Sequence, residues 1–162
     1  MAKELTFEQV RDGIIMALKH AYPDCDVRSD YTPQNVSEGD FNVVFVTSQT
    51  PEHVGDHWKH SVTFDVVYYC DSKSITDDTM RVCTEVPLLL ETITTPSGAK
   101  LHPVSVEPTT QDDDTVHIVV RYDYHVKAWL LENADDSELM MRLQLHMEDF
   151  YVETQEEENP GP

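Results

Sequence analysis

The sequence predicts an α+β fold: a mostly antiparallel sheet with two long amphipathic strands, packed by an N-terminal helix and a middle helix. Three observations predict it. Apolar residues recur at helical spacing early in the chain, at Phe7, Val10, Ile14, Ala17, Leu18 and Ala21. Two long stretches, 58–70 and 116–130, alternate apolar and polar residues with a period of two. Between them lies a second stretch with helical spacing, Met80, Cys83, Val86 and Leu90, with Ser74 before it and a turn signal at Thr95-Pro96-Ser97-Gly98 after it.

The first helix is opened by Thr6, a capping residue, with Gln9 placed three residues on as the capping-box partner. Tyr22-Pro23-Asp24 ends it, because a residue before proline is pushed out of the α region. A short extended piece over 27–31 and a turn-rich loop over 32–40 follow, then a strand over 41–47. Pro51 and Gly55 mark 48–57 as a polar loop. In the first long strand Trp58, His60, Val62, Phe64, Val66, Tyr68 and Cys70 share one face, and most of their odd-numbered neighbours are polar. The middle helix has Ser74 at its cap, Asp77 at its positive end and an apolar stripe of Met80, Cys83, Val86 and Leu90. Pro87 should kink or tighten its last turn. A strand over 101–106 and an aspartate-rich loop over 109–115 lead into the second long strand. There Val116, Ile118, Val120, Tyr122, Tyr124, Val126, Ala128 and Leu130 share a face opposite His117, Arg121, Asp123, His125 and Lys127. At about 3.3 Å per residue this strand spans on the order of 50 Å, so part of it is expected to project as a ribbon. The stretch 139–150 fits either a strand or a helix; the strand is preferred because a helix leaves Met141 and Leu145 outside its apolar face.

A length of 162 residues suits one domain with a substantial core, assigned to 1–152, followed by an acidic, disordered tail at 153–162. The charge is unusual: 31 acidic against 11 basic residues give a net −20. Such a chain is a poor binder of nucleic acid or of anionic lipid. No apolar run approaches the roughly 20 residues that span a bilayer, and no apolar leader follows Met1. Cys25, Cys70 and Cys83 are odd in number and lack a Cys-x-x-Cys pair, which points to free thiols in a reducing compartment.

Few motifs carry chemistry. His53, His57 and His60 form a His-x3-His-x2-His cluster, the best metal candidate in the chain, against which stands a solvated loop bearing histidines. Asp112-Asp113-Asp114 lacks the alternating spacing and the glycine of a calcium loop. Cys25 or Cys83 with a remote histidine is a nucleophile pairing that many chains offer by chance. No nucleophile elbow or phosphate loop is present among five glycines. The expectation is therefore no enzyme, no cofactor and no metal. Trp58 and Trp129 are the expected protein-contact residues: Trp58 starts a strand beside a loop, and Trp129 lies on an otherwise polar strand face.

The order and spacing of several pieces resemble the tail-terminator (tail-completion) family of long-tailed phages and prophages. The pieces are Ile14-Ile15-Met16-Ala17-Leu18 with Tyr22-Pro23, residues 27–30, Gln34 and the strand at 41–46. Phe64-Asp65-Val66-Val67-Tyr68, Leu88-Leu89-Leu90-Glu91-Thr92-Ile93 and the strand around 120–126 complete a likeness covering 5–148. The 48–57 loop and the acidic C-terminus depart from it. The resemblance implies an α+β virion subunit, assembled in the host cytoplasm, that forms a ring, commonly a hexamer, on the head-proximal end of the tail tube. It further implies contacts with itself, the tube protein and the head–tail connector, with no catalytic residues. Three alternatives stand beside it: an acidic inhibitor mimicking nucleic acid, another head–tail adaptor, and a metal enzyme built on the His53 cluster.

Overall fold

The computed structural model describes residues 5–29, 36–54, 57–111 and 114–127. In chain order the elements are α1 (Phe7–Ala21), β1 (Val27–Arg28), β2 (Phe41–Val54), β3 (His57–Tyr69), α2 (Ile75–Leu90), β4 (Ile93–Thr94), β5 (Lys100–Leu101), β6 (Pro103–Gln111) and β7 (Thr115–Lys127). The fold is α+β. Its main sheet has five strands in the order β1-β2-β3-β7-β6, and β4 and β5 form a separate two-stranded hairpin.

The main sheet is mostly antiparallel. β1 alone is paired in parallel, with Val27 opposite Phe41. β2 pairs antiparallel with β3, and β6 antiparallel with β7. Between β3 and β7, Ser61 bonds to Asp123, Asp65 to His117, and the Cys70 amide to the Asp114 carbonyl. These partners run in opposite directions, so this central pair is antiparallel too.

The pleat sorts the side chains. Val62, Phe64, Val66 and Tyr68 of β3, and Val116, Ile118, Val120, Tyr122 and Tyr124 of β7, are all buried. They share one core with Val10, Ile14 and Leu18 of α1 and with Val82, Val86 and Leu90 of α2. Each helix contributes residues three or four apart, which is how a helix turns one stripe toward a sheet. Gly13 lets α1 come close to β4: a Cβ there would lie 3.2 Å from the Thr94 carbonyl oxygen. In the hairpin turn, Thr95 and Gly98 are joined by a 2.8 Å backbone bond, and Gly98 has φ +87, a conformation that glycine adopts without a Cβ penalty.

Several expectations need correction. The polar loop foreseen at 48–57 is instead the far part of a hairpin: β2 runs to Val54 and β3 starts at His57. Pro51 is accommodated because it falls in a register shift between Gln49 and Glu52, where the ladder does not require its missing N–H. The loop foreseen at 109–115 is also strand at both ends, since β6 continues to Gln111 and β7 begins at Thr115. Asp114 turns the chain with φ 59, which a short polar side chain tolerates. The 101–106 strand is divided between β5 and β6, and Val27–Arg28 of the 27–31 piece form β1, while residues 30 and 31 lie outside the described residues.

The helix caps differ in detail as well. Thr6 accepts a hydrogen bond from the Gln9 amide at 3.3 Å, but Gln9 does not reciprocate, and its Oε1 is buried without a hydrogen-bond partner. Ser74 holds the N-cap position of α2 with no side-chain cap bond. The apolar stripe of α2 is rotated from the one expected: Val82 is fully buried while Met80 is 67% exposed. At Pro87 the helix continues, and its end tightens through a bond from the Glu91 amide to the Leu88 carbonyl. The expectations for 128–130, 139–150 and 153–162 lie outside the described residues.

Candidate functional site

The three clustered histidines fall on the β2–β3 hairpin. His53 stands opposite Trp58 in the β2–β3 ladder, and Val54 stands opposite His57. His57 and His60, three apart in one strand, alternate to opposite faces, whereas metal ligands must meet on one side. His60 instead packs into aromatic neighbours: its ring stacks on Tyr124 with centroids 5.6 Å apart and meets the edge of Phe7 at 5.5 Å. Burial pulls its pKa down, so the ring is neutral at neutral pH and serves as packing. Among the described residues no group of three or more His, Cys, Asp and Glu is placed to hold a metal. Asp112 and Asp113 lie outside those residues, as does Trp129. Trp58 is half-buried.

The face of the sheet turned away from the core carries two polar clusters. Asp123 accepts a hydrogen bond from Ser61 and ion-pairs with Lys59 at 3.2 Å and Arg121 at 3.3 Å. Burial opposes the charge on Asp123, but Ser61, Lys59 and Arg121 outweigh it and hold the carboxyl below the usual range. Nearby, His117 Nδ1 lies 2.7 Å from Asp65, and its Nε2 lies 3.1 Å from the Thr115 hydroxyl. Carboxylate, imidazole and hydroxyl occur in the order of an acyl-transfer triad. Thr115 is only 8% exposed, however, and the three residues link β3 to β7. This geometry braces the sheet; it does not offer a nucleophile to a substrate.

A third network joins the helices to the sheet. The Tyr22 hydroxyl donates to Glu85 at 2.7 Å, and Arg81 reaches Asp78 and Glu85. Burial and then Asp78 raise Tyr68 to about 12. Asp78 is itself held low: burial opposes its charge, but the Asp71 amide and Arg81 prevail. All three cysteines are free thiols, Cys70 buried and the others half-buried. Burial raises the pKa of Cys25 and Cys83, which makes both poor nucleophiles at neutral pH.

The sheet edges differ in what they expose. Beyond Asn42, β2 has no strand on its outer side among the described residues, and the same holds for β6. The two edges differ. β6 carries Pro103, Pro108 and Glu107, devices that discourage pairing. The stretch 43–49 of β2 is Val-Val-Phe-Val-Thr-Ser-Gln, with no charge and no proline. Phe45 is 47% exposed and Val46 52% exposed, the latter at a register shift. Met16 on α1, Met80 and Leu88 on α2, and Val104 on β6 are also exposed. Sequence reasoning missed these residues because an exposed apolar side chain reads, in a pattern, like one more core position.

No helix of the described residues is long and apolar enough to cross a membrane. Among protein families, the one described as phage tail terminator protein matches this chain over residues 9–138. No curated protein matches it.

Proposed function

The chain belongs to the phage tail terminator family, a family of structural proteins of the virion tail, and from that membership we propose that it forms a ring closing the tail tube. The ring is a hexamer seated on the head-proximal end of the tube, assembled in the host cytoplasm, and it joins the tube to the head connector. The partners are other copies of this chain, the tube protein and the connector protein. The family match over residues 9–138 carries the reading. The uncharged, partly apolar edge of β2 supports it, because such an edge suits a subunit that completes its packing through neighbours. The two amphipathic strands form the wall on which these contacts are built, with residues 1–152 as the assembling domain. Trp58 and Trp129 are proposed contact residues.

Charge sets how the ring forms. Six copies carry 6 × −20 = −120, so the subunits repel one another at long range. Salt shortens the Debye length to roughly 8 Å near 0.15 M and about 3 Å at 1 M, while apolar contacts persist or strengthen. The expected result in sedimentation of purified protein is weak association at low salt that grows as sodium chloride is raised, or when tube ends are supplied. The same acidity would let exiting DNA pass without sticking. Association that dissolves steadily with rising salt would identify ion pairs as the main contacts and overturn this account. A monomer at every salt concentration and with tube ends present would overturn the ring itself.

A further inference from the structure

We draw no further inference here: the strongest candidate, the outer edge of β2 from Val43 to Gln49 with Phe45 and Val46 exposed, carries nothing beyond the ring reading already given, because nothing in the structure shows what covers it.

Discussion

Replacing Tyr122 by phenylalanine removes one hydroxyl from the centre of the molecule. The side chain is fully buried on β7, and its hydroxyl donates to the Leu90 carbonyl at 2.9 Å. Leu90 is the last residue of α2, so that carbonyl is among those a helix leaves without an intrahelical partner. The last turn has no basic side chain to satisfy it. The sheet therefore caps the helix. Phenylalanine keeps the ring and opens little space, so the cost is that of a buried acceptor left unpaired. Such an orphaned group costs about 1–3 kcal/mol, which places the loss near 2 kcal/mol. At roughly 2–4 °C per kcal/mol for a chain of this size, Tm should fall by about 4–8 °C. Urea unfolding followed by far-UV circular dichroism measures it, with an unchanged m-value as evidence that only stability moved. Tyr124→Phe is the control: its ring packs on Phe7 and His60, and its hydroxyl makes no hydrogen bond among the described residues. Its loss should be below about 0.5 kcal/mol, the ordinary scale of a change that touches no such feature. Equal stability of Tyr122→Phe and wild type would refute the cap.

Alkaline pH should unfold the protein earlier than its net charge alone suggests. Burial, assisted at Tyr22 by Glu85, raises the pKa of Tyr22, Tyr68, Tyr122 and Tyr124, in the case of Tyr68 to about 12. The folded state keeps protons that the unfolded state releases near pH 10, so this stability is intact below that pH and is lost as pH rises toward the folded values. A urea midpoint that stays level between pH 8 and about 11 would contradict it. Deleting residues 153–162 should move Tm by no more than about 2 °C, since an acidic tail offers little to bury; a large drop by calorimetry would show that the domain boundary lies further on. Trp129→Ala should impair assembly by native mass measurement while leaving a folded monomer, as for an interface anchor. An unfolded monomer would place Trp129 in a core instead.

The sequence by itself determined the elements whose pattern is local. α1 announces itself through Thr6, the spacing of Val10, Ile14 and Leu18, and the stop at Pro23, and it runs from Phe7 to Ala21. Along a strand the pleat sends alternate side chains to opposite faces regardless of which strand lies alongside, and Val62, Phe64 and Val66 of β3 and Ile118 and Val120 of β7 are buried, but so is Val67, which lies out of that period. The likeness to tail terminators was also legible, in the order of short pieces. Other features depend on partners distant in the chain, and only the tertiary structure decided them. Pro51 reads as a loop residue until the β2–β3 register supplies a shift that has no use for its N–H. Met80 and Val82 are both apolar residues of α2, and nothing local says which one faces inward. The sheet chose Val82, because a helix can turn only one stripe toward the surface it packs on. The histidines looked clustered because they are near one another in sequence. Folded into a hairpin, the same spacing sends His57 and His60 to opposite faces, and His60 finds Phe7 and Tyr124, residues 53 positions before it and 64 after. Burial and pairing across such separations are properties of the assembled sheet, and no window of the sequence contains both partners.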